Sequence, residues 1–370
     1  MKLEGKKILI TGITDSGVLR VRSELIDWIQ SEGAQVIVVT PKQKAYVQLQ
    51  EMGCRFIEFK MDAQDVNPFN NYNVYLKYIK LLKEEHPDVV LTFTTKPNIY
   101  CTLACKHLHI KYITNITGRG RALVTPGWKQ KIMILLLKKG LTDAACVFFQ
   151  NDGDMQFFLD NRIGNAQSFH RIPGSGVNLD KFKPVPYPSE DIKEMNFLFI
   201  SRIYKQKGIE QYIEAASVIR KKHPECVFHI LGENTPEYEN MVNDAVANGI
   251  VKYHGRVSNV GDFIAKSHCT IHPSFFEGMA NVVLESAACA RPVITTNIHG
   301  CKEGVDDGVT GFVFKVKDTD DLIKVIYRFL HLTYKEKVAM GEAGREKMEK
   351  EFDRKFVTEA YKEQIFNLVK

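Results

Sequence analysis

The sequence has no Cys-x-x-Cys pair, although it contains eight cysteines among its 370 residues. They are scattered along the chain, at positions 54, 101, 105, 146, 226, 269, 289 and 301. Several lie in apolar runs, and their spacing matches no zinc site. We therefore expect reduced cysteines in the core of a cytoplasmic protein, and neither a disulfide framework nor a metal site.

The chain also lacks a long apolar run and a strong excess of either charge. Its longest apolar helix candidate, Ile132 to Leu137, is far too short to span a bilayer. The N-terminus runs through a few basic residues straight into a predicted strand, so no signal peptide is expected. A net charge of +6 is a mild basic excess, which suits an anionic ligand or membrane surface better than a nucleic acid.

Short apolar strands alternate with helices along the whole chain. In the first half, strands are predicted at 7–11, 35–40, 56–59, 88–92, 111–115 and 145–149, with helices at 19–32, 74–85, 99–108 and 128–141. In the second half, strands are predicted at 196–201, 227–231, 251–254, 269–272, 293–296 and 312–314, with helices at 209–221, 238–248 and 353–370. Strands separated by helices of this length predict an α/β fold with parallel, doubly wound sheets.

A proline-rich segment separates the two halves. Three prolines fall within five residues, at 184, 186 and 188, and they can continue neither a helix nor a central strand. The length of the chain allows two domains with separate cores. We predict an N-terminal domain over 1–183, a C-terminal domain over 184–352, and a last helix over 353–370 that crosses back to the N-terminal domain.

Glu277 and Glu285 lie eight positions apart in a stretch that begins with a glycine-led turn. Eight positions are a little over two helical turns, so both carboxylates are expected near one face of a helix. The backbone N–H groups from Gly278 to Asn281 would form its N-terminus, where a phosphate can bind. Two acceptors for sugar hydroxyls beside a phosphate site suit a sugar nucleotide.

Arg202 and Lys207 follow the first predicted strand of the second domain and precede a helix. Ligands of open α/β sheets bind beyond the carboxyl ends of the strands, so both cations could neutralise a diphosphate there. The alternative is a solvated basic loop. The two glutamates farther along the chain favour the diphosphate interpretation.

These features together resemble the family-4 retaining glycosyltransferases of the GT-B fold. The resemblance rests on Arg202 with Lys207, on the Glu277/Glu285 pair, on residues 297–311, and on residues 171–178 followed by Phe182. It implies two Rossmann-like domains that face each other across a cleft. It also implies transfer of a sugar from a nucleotide donor, with UDP-sugar expected, to a hydroxyl of a lipid-linked glycan, with retained anomeric configuration and without a metal or other cofactor.

The resemblance assigns a role to each matching donor-side residue. Arg202 and Lys207 would hold the diphosphate and stabilise the departing charge, Glu277 would contact hydroxyls of the transferred sugar, and Glu285 would bind the ribose. The backbone from Gly278 through Met279 and Ala280 to Asn281 would touch phosphate or sugar. The base pocket would be lined by Gly232, Glu233, Gly255, Arg256 and Val257. No nucleophilic carboxylate is assigned.

The N-terminal half would hold the acceptor. Gly17 lies where the family usually has a glycine-rich loop against the donor phosphates, although the usual Gly-Gly pair is missing. Asn115, Thr117 and Arg119 are assigned to the acceptor side, and the first two stand where many relatives carry a histidine. The Thr-Gly-x-Gly form at 117–120 is similar to bacterial enzymes that extend lipid-linked surface glycans or glycoprotein oligosaccharides.

The predicted helix from Trp128 to Leu141 is both basic and apolar. It could lie on an anionic membrane and admit a polyprenyl acceptor, or it could be a core helix with lysines at its ends. The family resemblance favours membrane contact. We therefore expect a cytoplasmic protein that binds peripherally to the inner face of the membrane and has no nucleic-acid partner.

The same sequence allows other interpretations. A dehydrogenase is unfavourable because Ser16 and Val18 replace the required glycines and no tyrosine is followed by lysine four residues later. Asp152 and Asp154 are expected to cap a helix rather than bind a metal. The histidines at 107, 109, 268 and 272 are expected to be structural, although His272 ends a predicted strand and could lie near the cleft. A sugar-nucleotide epimerase of the same fold and a catalytically silent nucleotide-binding subunit stay open as alternatives.

Overall fold

A computed structural model describes residues 3–62, 65 and 67–369. The strands are β1 (Lys7–Thr11), β2 (Gln35–Thr40), β3 (Arg55–Glu58), β4 (Val89–Phe93), β5 (Lys111–Ile116), β6 (Cys146–Phe149), β7 (Phe169–Arg171), β8 (Met195–Ile200), β9 (Cys226–Leu231), β10 (Lys252–Tyr253), β11 (Cys269–His272), β12 (Val293–Thr296) and β13 (Gly311–Phe314). The helices are α1 (Asp15–Ser31), α2 (Tyr46–Glu51), α3 (Pro68–Glu85), α4 (Thr95–Leu108), α5 (Gly120–Val124), α6 (Trp128–Leu141), α7 (Asp152–Asp160), α8 (Ile209–Lys222), α9 (Glu239–Ala247), α10 (Val260–Lys266), α11 (Asn281–Ala288), α12 (Thr319–His331), α13 (Tyr334–Lys347) and α14 (Arg354–Val369). Together, these elements alternate as the sequence predicts for an α/β protein.

The described chain divides into two compact units. The first comprises residues up to Ser175 together with Lys355 onward, and the second runs from Gly176 to Arg354. The first unit contains a seven-stranded parallel sheet in the order β3-β2-β1-β4-β5-β6-β7. All five residues of β4 are buried, as expected for a strand covered by helices on both faces.

The last helix belongs to the first unit. Val357, Tyr361 and Ile365 of α14 are buried in the same apolar cluster as residues of β1 and β2. The Tyr361 ring lies 4.7 Å from the ring of Phe148 between centroids. Its hydroxyl accepts a hydrogen bond from Asn115 Nδ2 at 2.8 Å, so α14 is held by polar as well as apolar contacts.

The second unit contains a six-stranded parallel sheet in the order β10-β9-β8-β11-β12-β13. Residues 176–183, which the sequence assigned to the N-terminal domain, belong to this unit because the Val177 N–H donates to Phe352 O at 2.8 Å. The proline-rich segment also lies within it. The buried Arg291 guanidinium donates to the carbonyl oxygens of Val185 and Pro186, at 2.9 and 2.7 Å. The division between the two units falls at 175/176, a few residues before the predicted 183/184, and the prolines lie inside the second unit.

Several helices begin earlier than the sequence predicts. Helix α1 starts at Asp15 rather than Leu19, because the Thr14 side chain accepts a hydrogen bond from the Gly17 N–H and caps it. Helix α3 starts at Pro68, after the capping residue Asn67. The three-residue strand β7 was not predicted. None of the helices within the described residues is both long and apolar enough to cross a bilayer.

The order of the strands defines where each sheet can bind a ligand. In the first unit the direction of winding reverses between β1 and β4, and in the second it reverses between β8 and β11. Loops that leave the carboxyl ends of two such strands diverge and leave a crevice. In the second unit, these loops carry Arg202 and Lys207 after β8, and Glu277 after β11.

Candidate functional site

Lys207 and Glu277 form an ion pair at the carboxyl ends of β8 and β11. The Lys207 ammonium donates a hydrogen bond to Glu277 Oε1. Their side chains are only 16% and 13% exposed, so the pair is mostly withdrawn from water. A pair in this environment has a fixed geometry and is weakly screened by salt.

Contacts between two loops hold this pair in place. The Phe275 N–H donates to Gln206 O at 2.8 Å, and the Ser274 hydroxyl donates to the same carbonyl at 3.1 Å. Gly208 has a φ of +73°, and a Cβ there would lie 2.0 Å from Pro273 O. Only glycine allows this approach, which brings the preceding lysine against the loop that carries Glu277.

His272 also contacts the ion pair. Its ring is buried at the end of β11, and its Nε2 lies 2.9 Å from Glu277 Oε1. Burial alone would raise the pKa of Glu277, but Lys207 and His272 outweigh it and lower that pKa to about 2. Burial would lower the pKa of Lys207, whereas Glu277 raises it above its ordinary value. Both groups are therefore charged at neutral pH.

Glu277 and Glu285 do not share a helix, contrary to the prediction. Helix α11 begins at Asn281, so Glu277 lies in the preceding loop and the buried Glu285 lies within the helix. The Ala280 N–H donates to Gly300 O at 2.7 Å and is thus already used inside the protein. The helix starts at Asn281, the last of the four residues predicted to form its N-terminus, and the glycine-led turn is part of a longer loop.

The loop after β12 packs directly on this turn. Gly300 has a φ of +87°, and a Cβ there would lie 2.7 Å from the carbonyl oxygens of Glu277 and Gly278. The Gly300 N–H donates to Glu303 Oε2 at 2.7 Å, which fixes the loop from the other side. The backbone on both sides of Met279 is therefore positioned by a glycine that lies more than 20 residues farther along the chain.

Arg202 lies at the same edge of the sheet, but its side chain is exposed. Its guanidinium lies over the Tyr204 ring, 5.4 Å from the centroid. The two cations that the sequence assigned to a diphosphate thus differ in environment. Lys207 is held by Glu277, whereas Arg202 extends from the edge where a ligand can reach it.

The residues predicted to line a base pocket also gather at this edge. The Gly232 N–H donates to Gly255 O at 2.8 Å, and the Ile203 N–H donates to Glu233 O at 2.9 Å. A Cβ at Gly232 would lie 1.8 Å from Ser201 O. The loops after β8, β9 and β10 are therefore in contact. Of the two residues after Gly255, Arg256 has an exposed side chain and Val257 has a half-buried one.

In the first unit, two predicted acceptor residues have structural partners. The Asn115 side chain is fully buried and donates to the Tyr361 hydroxyl, so it does not present its amide to an acceptor. Arg119 Nε donates to Asp154 Oδ1 at 2.8 Å, and this ion pair holds the 117–120 loop against α7. Thr117 is half-buried. Gly17 lies in the first turn of α1 and not in a glycine-rich loop, because Thr14 caps the helix there.

Asp152 and Asp154 lie in the first turn of α7, whose capping residue is Asn151. The Asn151 side chain accepts from the Asp154 N–H at 2.7 Å. The acidic residues thus stabilise a helix start, where their charge complements the helix dipole.

The sequence does not predict that His272 is a partner of Glu277. The signal that could have indicated it is the position of His272 at the end of β11, five residues before Glu277.

Two family matches cover most of the chain. Residues 7–151 match the family described as glycosyl transferase 4-like, and residues 188–347 match the glycosyl transferases group 1. The second match contains Arg202, Lys207, Glu277 and Glu285. The first contains the acceptor-side residues assigned from the sequence.

Curated relatives are similar over most of their length. The chain is 23% identical over 326 residues to N,N'-diacetylbacillosaminyl-diphospho-undecaprenol alpha-1,3-N-acetylgalactosaminyltransferase of Campylobacter jejuni, covering 84% of this chain and 86% of that protein. It is 23% identical over 334 residues to UDP-Gal:alpha-D-GlcNAc-diphosphoundecaprenol alpha-1,3-galactosyltransferase of Escherichia coli, covering 85% and 84%. It is 24% identical to the capsular polysaccharide biosynthesis glycosyltransferase CapM of Staphylococcus aureus, covering 90% of each.

Solved structures share the fold over nearly the whole chain. The Anabaena protein Alr3699/HepE, crystallised with UDP and glucose, superimposes with a TM-score of 0.80 at 16% identity, covering 98% of this chain and all of that one. A glycosyltransferase from Rickettsia africae gives a TM-score of 0.80 at 22% identity, covering 99% of both chains. These likenesses confirm the predicted fold class, two doubly wound α/β units of the GT-B type.

Proposed function

Because the chain belongs to the glycosyltransferases, with a glycosyl transferase 4-like domain followed by a group 1 domain, we propose that it transfers a sugar from a UDP-sugar to a lipid-linked glycan. The acceptor is a hydroxyl of a glycan carried on a polyprenyl diphosphate, and the anomeric configuration is retained. The Lys207–Glu277 ion pair at the switch point of the second sheet is the observation that carries this proposal. Named relatives act on diphospho-undecaprenol substrates, which supports the acceptor class.

The cationic residues suit the diphosphate of the donor. A nucleotide diphosphate departs as an anion, so cations fixed in advance at its position lower the barrier to transfer. Lys207 is fixed by its contact with Glu277, and Arg202 is exposed at the same edge, where its planar fork can pair with phosphate oxygens. Together they provide the charge that a metal ion provides in other transferases, so we propose a reaction without a metal.

The acidic residues suit the hydroxyl groups of the donor. Glu277 is charged at neutral pH and is positioned by the loops around it, so it can accept hydrogen bonds from the transferred sugar. Glu285, within α11, is proposed to bind the ribose. Gly232, Glu233 and the loop from Gly255 to Val257 would then surround the base, since they lie at the same edge of the sheet.

When no enzyme nucleophile takes part, retention requires that the acceptor attack the face from which the diphosphate departs. We propose that the departing phosphate takes the proton of the acceptor hydroxyl as the new bond forms, so no enzyme carboxylate acts as a nucleophile. The protein's contribution is then to orient both substrates and to stabilise the charge on the phosphate. The Lys207 ammonium is the residue best placed for the second task.

We propose that α6 contacts an anionic membrane, where a polyprenyl acceptor is found. Trp128 is 67% exposed, Ile132 is 48% exposed and Leu135 is 53% exposed, so an apolar stripe lies outside the core. The helix has four lysines and no acidic residue. Exposed aromatic and aliphatic residues beside lysines are typical of helices that lie in an anionic lipid surface.

Helix α3 has a matching stripe, which the sequence did not reveal. Phe69, Tyr72 and Leu76 are exposed along one of its faces, at 81%, 59% and 43%. Helix α4 packs between α3 and α6. Helix α3 is the element after β3, whereas α6 comes after β5 and the short helix α5. We propose that the two stripes bind the inner face of the cytoplasmic membrane peripherally.

Transfer itself tests the proposal. The purified protein is incubated with individual UDP-sugars and with short polyprenyl-diphosphate-linked glycans, and the product is analysed by mass spectrometry and by NMR of the anomeric proton. We expect one added sugar whose anomeric configuration matches that of the donor. Epimerisation or hydrolysis of the donor without an acceptor, binding of UDP without any turnover, or an inverted product would contradict the proposal.

A further inference from the structure

Two donors converge on one oxygen of Glu277. Lys207 Nζ and His272 Nε2 both contact Oε1, the second at 2.9 Å. Over residues 3–62, 65 and 67–369, the structure gives Oε2 no hydrogen-bond partner. A carboxylate oxygen has two lone pairs, and here both acceptor directions of Oε1 are occupied. The carboxylate is therefore held by one oxygen, and the other is left for a ligand.

The tautomer of His272 follows from these contacts. An ionised carboxylate can only accept, so Nε2 must bear the proton and donate to Glu277. Nδ1 is buried and has no hydrogen-bond partner among the described residues. A neutral ring leaves one acceptor unsatisfied there, whereas an imidazolium would bury an unsatisfied donor and a second positive charge beside Lys207. The network assigns the neutral ring with its proton on Nε2.

His272 is also the more rigid of the two donors. Its backbone pairs with Thr295 in the parallel register of β11 and β12, and its carbonyl accepts from the Thr295 hydroxyl at 3.0 Å. Its ring is buried, whereas lysine is a flexible chain with a point charge at its end. When a diphosphate competes for the Lys207 ammonium, the histidine contact is the one that does not depend on the phosphate.

We propose that His272 is a positioning residue that orients the Glu277 carboxylate toward the transferred sugar. This inference rests on the proposed function, because it names Oε2 as the acceptor for a sugar hydroxyl. A neutral donor keeps the carboxylate in place without adding charge, and Lys207 is thereby available to the diphosphate. Loss of the His272 donor weakens every step that depends on the sugar and spares binding of the nucleotide alone.

Three variants separate this role from packing. Glutamine places an N–H near the position of the histidine Nε2, so His272→Gln should keep transfer within about threefold of wild type. His272→Phe fills the space without a donor, and it should lower kcat by about 10- to 100-fold, as expected when a reacting group loses its orientation. His268→Phe is the matched control, since His268 is buried beside the start of the same strand and accepts from the Asn196 N–H at 3.0 Å.

Binding measurements give a readout that a packing defect would not reproduce. Calorimetry with UDP and with UDP-sugars is expected to show unchanged affinity for UDP in His272→Phe and a loss of the extra affinity due to the sugar. The control variant should lower the melting temperature and keep that extra affinity. A His272→Phe protein with wild-type kcat, or one that loses UDP and UDP-sugar affinity equally, would overturn the inference.

The tautomer can be observed without turnover. Nitrogen-15 NMR of histidine side chains should show a neutral His272 ring protonated at Nε2, and Glu277→Gln should shift that signal. A ring protonated at Nδ1 would overturn the inference even in an active enzyme. A wild-type protein with the expected NMR signal but no transfer from any donor would instead overturn the proposed function, so the two failures are distinguishable.

Discussion

The Lys207 ammonium and the Glu277 carboxylate are in contact although 70 residues separate them in the chain. They meet because β8 and β11 are neighbours in the sheet, and each strand is followed by a loop that carries one partner. Both side chains are mostly buried, so the pair has a fixed geometry. A cation and an anion fixed at this place suit a ligand with a phosphate at one end and hydroxyl groups at the other.

Removing either cation should slow transfer. Arg202→Ala and Lys207→Ala are each expected to raise the barrier by about 2–4 kcal/mol, as the loss of one charge stabiliser typically does. The measurement is kcat/KM for the donor. Lys205→Ala is the matched control, because Lys205 is exposed in the same turn and should leave kcat/KM unchanged. Near-wild-type turnover in both test variants would contradict the roles assigned to them.

The stability contributed by Glu277 should decrease in acid. Its folded pKa of about 2 lies below the ordinary value of 4.5, so ionisation stabilises the folded state above about pH 4.5. That contribution, on the order of 3 kcal/mol, is lost as the pH falls through the folded pKa. Urea unfolding of wild type and Glu277→Gln should therefore differ most near neutral pH and least near pH 2. A difference that is independent of pH would contradict the lowered pKa.

A methyl group at position 300 should damage the site without touching a substrate. Gly300→Ala would place a Cβ 2.7 Å from the carbonyl oxygens of Glu277 and Gly278 and must displace that backbone. Gly308→Ala has the same left-handed strain, at a φ of +78°, but meets no atom within 4 Å. We expect about a 10- to 100-fold loss of kcat/KM in the first variant only. Equal losses of kcat/KM in both variants would mean that backbone strain at a positive φ, and not contact with the Glu277 and Gly278 carbonyl oxygens, damages the site.

Exposed apolar residues of α6 should determine membrane binding. A Trp128→Ser/Ile132→Ser double variant is expected to lose about tenfold or more of its affinity for vesicles that contain phosphatidylglycerol, since it removes apolar area from the lipid surface. Binding of wild type should weaken with added salt and be weak on neutral vesicles. Val309→Ser/Met241→Ser is the control, because both residues are exposed apolar residues of the second unit. Unchanged vesicle binding by the test variant would exclude α6 as the contact.

Much of the fold could be predicted from local patterns. Strands β1, β2, β11 and β12 and helix α6 have the predicted limits, because apolar runs and helix-stop signals are local in sequence. The start of α1 at Asp15 depends on the Thr14 cap. This start is hard to predict because the segment around it contains glycine, which is more typical of a loop. The proline-rich segment is typical of a linker in sequence, and nothing local indicates that Arg291 binds its carbonyls.

The residues of the site could be predicted from the sequence, but the contacts between them could not. Arg202, Lys207, Glu277 and Glu285 were recognisable from their positions after strands and from the family resemblance. The strand order that brings Lys207 and Glu277 together cannot be predicted from the spacing of residues in the sequence. Asn115 was assigned to the acceptor because the sequence does not show that Tyr361, 246 residues later, accepts its hydrogen bond.

A crystal structure with a UDP-sugar bound tests the central claim most directly. We predict that the diphosphate contacts Arg202 and Lys207, that a sugar hydroxyl donates to Glu277, and that the ribose hydroxyls contact Glu285. A nucleotide sugar bound at another place, with these four side chains directed into solvent, would contradict the account.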